Sequence, residues 1–292
     1  MDPNSRMSYA GVVVQGLSDL GFTIRWRSLV ATPPSGAAAI EVHGRRLFID
    51  LGDNKTIDSV GHAWADIYGK VNVAPDERRS IIPLGPLFGL QCWDLLTAYR
   101  RWPGMVARGA RPRRALSHLR FQAITRLPES AYKPGVSETG YVFHASRDWV
   151  KHPDANEQRG RFIEAAKRAD VTADTSIISG ARMPLSEYIE RTTRSCVAFN
   201  SPAVHGCLGW KLGEYLALGK AIISTQVNSR LPEPLLHAEH VHYVDDDVDV
   251  MRDAINTLSA DVDYRAHLEH GARQWYERNL APTVAMQRLF QH

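Results

Sequence analysis

The chain has 292 residues, 44% hydrophobic and 23% charged, a globular composition long enough for two domains that each bury a core. Its net charge of +3 is modest, and three cysteines (Cys92, Cys196, Cys207) without a pairing or zinc-site pattern point to a reducing, cytoplasmic compartment. No apolar run reaches membrane-spanning length, so the partners expected are soluble ones or a membrane surface met peripherally.

Residues 1–6 read as a vector-encoded leader, with Met7 as the natural start and no signal peptide. An apolar pattern over residues 9–20 predicts a helix, and residues 21–26 a glycine stop followed by a strand. The strand that usually precedes such a helix is missing, which suggests a reduced N-terminal domain. Residues 31–36 are loop by their proline and glycine content. Two strands then follow, through Ala38, Ile40 and Val42 and through residues 47–50, joined in a hairpin at residues 43–46. Asp50 and Asp53 fall at the end of the second strand, where open α/β sheets place their ligands.

Residues 65–73 give another helix-to-strand passage, and residues 81–90 a loop broken by proline and glycine. The stretch from 95 to 120 is strongly basic. Arg100, Arg101, Arg108, Arg111, Arg113, Arg114 and Arg120 alternate there with Tyr99 and Trp102. Pro103, Gly104, Gly109 and Pro112 are expected to break it before a helix over residues 113–125. Residues 128–140 read as an interdomain linker.

The second half opens on a strand from residue 140 with Arg147 in the loop after it. A helix over 156–169, a strand over 175–179, a helix starting at Pro184 and a strand over 196–200 come next. The alternation predicts a parallel, doubly wound sheet. Residues 200–224 then read as loop, short helix, glycine stop and buried strand. Gly206 and Gly209 precede the helix and leave its first amides open to an anion. The helix spans 210–218, with Leu208, Leu212, Tyr215 and Leu216 as its apolar stripe and Gly219 as its left-handed cap. Trp210, Lys211 and Glu214 are expected to project together from the other face. A strand at 240–244 and helices to 258, over 261–279 and over 283–290 complete the chain.

The run Glu214-Tyr-Leu-Ala-Leu-Gly-Lys-Ala-Ile-Ile223 resembles the nucleotide-sugar segment of GT-B glycosyltransferases, commonly Glu-Ala-Met-Ala-x-Gly-x-Pro-Val-Ile. The glutamate, second alanine, glycine and last isoleucine are identical. The proline is absent, and Gly206 stands where many retaining members carry a second glutamate. The resemblance covers residues 138–292 and reaches the first half through architecture alone. It implies two Rossmann-like domains facing across a cleft. Residues 7–137 would form the acceptor side, 138–280 the donor side, and 281–292 a helix returning toward the first domain. It further implies metal-independent sugar transfer from a nucleotide-diphosphate sugar, a substrate and not a cofactor, with Glu214 accepting from the ribose hydroxyls.

Such a transfer must stabilise a departing diphosphate, and without a metal that falls to cations and helix-end amides. Arg147, Lys211, His205 and the amides around Gly206, Gly209 and Trp210 are the candidates. An inverting reaction also needs a base, for which Asp53 and Asp50 are candidates; a retaining one does not, and the stereochemistry stays open. Asp245, Asp246 and Asp247 follow a strand but read as a helix cap and not as a metal site. Arg100, Arg101, Arg111, Arg113 and Arg114 suit an anionic acceptor: nucleic acid, a phosphorylated or lipid carrier, or an anionic membrane surface. Two other readings remain: a nucleotide-sugar epimerase of the same fold, and a non-catalytic nucleic-acid-binding protein using the arginines.

Overall fold

The computed structural model describes residues 1–29, 37–77, 79–149, 152–178 and 183–291. Its contacts divide the chain into two units. Unit 1 holds residues 1–131, 229–232 and 279–292; unit 2 holds residues 132–228 and 233–278. The loop expected at 31–36 and the strand end expected at Ser179 lie outside the described residues.

In unit 1, helix α1 (Met7–Asp19) is buried along Val12, Val13, Val14 and Leu17. It stops at Gly21, whose φ of 84° lets the Gly21 and Phe22 amides return to the carbonyls of Ser18 and Leu17. The strand expected over 21–26 does not form; residues 22–29 are irregular. Nor do residues 1–6 stand outside the fold. Asp2 is buried, its amide donates to the Ala39 carbonyl and its carboxylate accepts from the Leu29 amide. The N-terminal ammonium donates to the Arg25 carbonyl.

Strands β1 (Ala37–Val42) and β2 (Arg45–Asp50) form the expected hairpin, and only two residues turn it. His43 and Gly44 both take positive φ, 50° and 80°, the twist that suits paired strands. Helix α2 (Ser59–Trp64) is capped by the Asp58 carboxylate and passes close over Phe48, where Gly61 leaves room for the ring. Strands β3 (Ile67–Lys70) and β4 (Ile82–Pro83) continue the sheet in the order β1-β2-β3-β4, parallel except for β1.

Helices α3 (Leu95–Val106) and α4 (Pro112–Thr125) pack on each other. Asp94 caps α3, and the helix runs through Pro103 instead of breaking there. The proline sits on the exposed face, one turn after exposed Tyr99, so the carbonyl it frees can turn to water.

In unit 2 the strands and helices alternate. β5 (Tyr141–Arg147), α5 (Pro153–Arg168), β6 (Thr172–Ile178), α6 (Leu185–Arg194) and β7 (Ala198–Asn200) come first. They are followed by α7 (Trp210–Ala217), β8 (Ile222–Ser224), β9 (His242–Tyr243), α8 (Val248–Ala260) and α9 (Val262–Asn279). β5 pairs with β6, and β7 with β8 and β8 with β9, every ladder parallel. The Cys196 amide donates to the Tyr141 carbonyl and the Phe143 amide to Ser195 Oγ, both at 2.8 Å, which sets the lead-in to β7 beside β5. The spatial order is therefore β6-β5-β7-β8-β9. Val142, Phe162, Phe199, Ile223, Ile255 and Leu268 make much of its core, with Phe162 and Phe199 stacked at 4.2 Å. Gly219, at φ 58°, closes α7 as its sequence position requires. Asp247 caps α8 through the Asp249 and Val250 amides, and Asp246 pairs with Arg161, so the acidic run serves as a helix start. Helix α10 (Pro282–Phe290) lies in unit 1 against α1, where Gly16 admits the Pro282 carbonyl; a Cβ there would stand 2.2 Å from that oxygen.

Unit 1 also buries an ion pair. Lys70 Nζ lies 2.5 Å from Asp50 Oδ2 with its side chain fully covered, and the Tyr68 hydroxyl donates to the same oxygen at 3.0 Å. Removing one member strands the other charge. Lys70→Met is expected to cost about 3–5 kcal/mol in urea unfolding, with part of the loss recovered in Lys70→Met/Asp50→Asn.

Candidate functional site

The site of unit 2 follows from a mismatch in strand length. β5 has seven residues and β7 three. Tyr141 and Phe143 turn their main-chain groups toward β7, and the two-residue period of a strand sends the carbonyls of Ala145 and Arg147 the same way. β7 ends at Asn200 and the chain turns off, so among the described residues no ladder partner reaches those two carbonyls. Side-chain cations meet them instead. Arg159 Nη1 donates to the Arg147 carbonyl at 2.9 Å, and Lys211 Nζ donates to the Ala145 carbonyl. Arg159 Nε reaches Ser201 Oγ at 3.3 Å, tying the end of β5 to the residue after β7. This point lies between β5, which connects through α5 to β6 on one side, and β7, which connects through α7 to β8 on the other. It is the switch point of the sheet, outside the carboxyl ends of its strands.

Arg159 is buried, and that burial lowers its pKa. Lys211 is half-buried as a residue, but its ammonium is enclosed 5.3 Å from the centre of the Tyr188 ring. Burial, reinforced by the charge of Arg159 and opposed by Glu214, brings the Lys211 pKa down to about 7. His144, 2% exposed, faces Phe162 and Phe199, and among the described residues neither ring nitrogen has a hydrogen-bond partner. Its pKa is driven well down, by burial first and then by Lys211 and Arg159. Ser146 Oγ, two residues along the same strand, is likewise buried without a partner.

The loop after β7 carries His205 and Gly206, both at positive φ (58° and 63°) and both exposed. The His205 ring meets His152 edge-on at 4.9 Å, and His152 in turn meets Trp149 at 6.4 Å, which places an aromatic row beside Arg147. Arg147 itself is exposed at the end of β5. Gly209 caps α7 with no side-chain bond; a Cβ there would meet nothing nearer than 3.8 Å, so the helix start is open to a close approach.

Arg147, His205, Gly206, Gly209, Trp210 and Lys211 are thus gathered at one end of the sheet. Glu214 departs from the sequence expectation. It does not stand on an open face but is 5% exposed, because α7 is covered on nearly every side. Its charge acts there on Lys211, Tyr188 and Tyr215, and the two tyrosine hydroxyls are bonded at 3.1 Å.

Arg159 and His144 escaped sequence reading, although Arg159 gave a signal. It lies three and seven residues before Phe162 and Ala166, on the core stripe of α5, where an arginine is out of place unless it has a task.

In unit 1, Asp50 does not have the freedom of a base. Its Oδ1 accepts from the Gly52 amide and its Oδ2 holds Lys70 and Tyr68. Asp53 is exposed as a residue, yet crowding around its carboxyl raises the pKa, with Asp50 adding and Arg6 opposing. Arg100, Arg111 and Arg113 are exposed on or beside α3 and α4, and Arg101 and Arg114 are half-buried.

No family model matches the sequence, and no curated protein does. Solved structures similar to the chain include two glycosyltransferases and a protein held in complex with UDP. The C-terminal domain of a group 1 family glycosyl transferase (LpcC) from Francisella tularensis is 13% identical, covering 51% of this chain and 95% of that one, with a TM-score of 0.38. Anabaena Alr3699/HepE in complex with UDP is 13% identical, over 71% of this chain and 63% of that one, with a TM-score of 0.41. A glycosyltransferase from Rickettsia africae ESF-5 is 10% identical, over 98% and 79%, with a TM-score of 0.43. The chain spans less than two thirds of the HepE structure's own length. Similarities this distant carry no argument about activity.

The unpartnered nitrogens of His144 give a prediction of their own. Replacement by leucine removes buried polar atoms that gain nothing in return, so His144→Leu should stabilise the ligand-free protein by about 1 kcal/mol. A pKa held below the unfolded value means that, as pH falls through the histidine range, the unfolded chain binds a proton the folded one refuses. Stability of the parent should therefore decline on acidification in that window more steeply than that of His144→Leu, measured by chemical denaturation across pH.

Proposed function

We propose that unit 2 binds a nucleotide-diphosphate sugar at the switch point and that the chain transfers the sugar to an acceptor hydroxyl. The observation that carries this reading is the pair of cations, Arg159 and Lys211, held on the last carbonyls of β5 beside the uncapped start of α7. A carbonyl dipole positions a cation without cancelling its charge. Diphosphate oxygens would meet Arg147, Arg159, Lys211 and the amides of the Gly209 turn.

As the bond from sugar to phosphate breaks, negative charge grows on the departing diphosphate. Cations fixed beforehand in a site poor in water stabilise that charge without reorganising, and so no metal ion is needed for this step. Glu214 accepts from the ribose hydroxyls in this scheme, in a desolvated setting that makes each such bond count. His205 reaches the diphosphate or the sugar from the positive-φ loop. For an inverting course Asp53 is the candidate base to take the acceptor's proton.

A thermal-shift screen of UDP, GDP, ADP, CMP and TDP with their sugars tests the reading. One nucleotide should stabilise the protein by about 2.7 kcal/mol at a hundredfold excess over its Kd. Glu214→Ala should weaken that ligand by about 1–3 kcal/mol, and Arg159→Met by at least as much. A screen in which no nucleotide raises the melting temperature removes the proposal.

Lys211 adds a linked prediction. At about pH 8 its amine is largely neutral in the free protein, and a bound diphosphate raises its pKa again. Calorimetry in buffers of different ionisation enthalpy should then detect proton uptake on binding, fading below about pH 6 and absent in Lys211→Met.

A further inference from the structure

The second basic feature of the chain lies far along the sequence from the donor residues. Between Trp93 and Leu127 there are eight arginines and a single acid, Asp94, and that acid is engaged in capping α3. Among the described residues, Arg111, Arg113 and Arg120 have no carboxylate within ion-pair distance. On α4, Arg113, Ser117, Arg120 and Ile124 are all exposed, and their spacing of four, three and four residues puts them in one stripe. α3 presents an apolar counterpart. Leu95, Leu96 and Tyr99 are 39%, 58% and 42% exposed, with Pro103 continuing the same face, while Ala98 and Met105 take the buried side.

Exposed leucines on one helix of the hairpin and unpaired arginines on the other fit one kind of partner better than another. Single-stranded nucleic acid is gripped by bare aromatic faces. Here Trp102 is half-buried with its indole N–H donated to the Pro112 carbonyl at 3.0 Å, and Trp93 carries the Arg101 guanidinium 4.4 Å from its ring centre. Only Tyr99 is left as an exposed ring in the hairpin. The remaining bulky groups, Leu95, Leu96 and Ile124 (60% exposed), are aliphatic, and aliphatic groups are stabilised by entering acyl chains.

We propose that the α3–α4 hairpin docks on an anionic lipid bilayer, the leucine face of α3 entering the headgroup boundary and the α4 arginines meeting the lipid phosphates. The surface charge of such a membrane complements a cationic stripe that has no acids of its own, and each arginine near it strengthens binding about fivefold. This inference does not rest on the nucleotide reading of unit 2 and would survive its failure.

The test is co-sedimentation of the full chain with vesicles. Phosphatidylglycerol and phosphatidylcholine in equal parts should bind it, and phosphatidylcholine alone should bind it far more weakly. Arg113→Ala/Arg120→Ala should lose roughly 25-fold in affinity for the mixed vesicles. Leu95→Ser/Leu96→Ser should lose at least about tenfold, for leucine surface no longer buried. All four positions are exposed, so melting temperatures measured without vesicles should match the parent and exclude misfolding as the cause. Failure to bind mixed vesicles overturns the proposal. So does full binding by the serine variant, which would leave attraction to any polyanion, and so does binding to DNA tighter than to the vesicles.

Discussion

Two main-chain carbonyls of β5, at Ala145 and Arg147, outrun the strand that would have paired them, and two cations take the vacant places. A parallel sheet normally satisfies each strand edge with its neighbour, and an unpaired carbonyl is left only where the neighbour stops short. β7 stops after three residues, where Pro202, following Ser201, has no N–H to continue the ladder to β8. The same early stop frees the chain to form the loop of His205 and Gly206 and to start α7 at an uncapped glycine. Strand length, cation placement and helix start are thus three results of one termination.

That arrangement is electrostatically unfinished. Arg159 and Lys211 repel each other, which is part of why the lysine gives up its proton easily. Glu214, buried in α7, offsets this only in part. Buried cations held on carbonyl oxygens are costly in the free protein, and an anion placed beside them would offset that cost. His144 and Ser146, polar and unpartnered in the wall of the same strand, add to the penalty. Unit 1 treats its buried charge in the opposite manner: Lys70 and Asp50 neutralise each other, Tyr68 completes the shell, and nothing is left for a ligand.

This contrast explains how the candidates fared. Asp50 and Glu214 look alike in the sequence, each a lone acid near a strand or helix boundary. Only packing separates a carboxylate consumed by a lysine twenty residues away from one enclosed among two tyrosines and a lysine. That residues 1–6 pack into unit 1 was hidden in the sequence for a related reason. A short polar segment carries no periodicity, and the Asp2 bonds to Ala39 of β1 and to Leu29 join it to residues it precedes by 37 and 27 positions.

The sequence by itself determined what depends on near neighbours. Gly21 and Gly219 fixed helix ends through their positive φ, His43 and Gly44 fixed the hairpin, Asp247 capped a helix, and the β-α alternation fixed a parallel second unit. Each of these is set within about one turn of chain, where dihedral preference and a local hydrogen bond suffice. Tertiary structure decided which side chains meet: Arg159 with Arg147 and Ser201, Lys211 with Ala145, and which arginines of α3 and α4 remain bare. Those contacts join residues 12 to 66 positions apart, and burial, which no single residue type declares, settles both their partners and their charge.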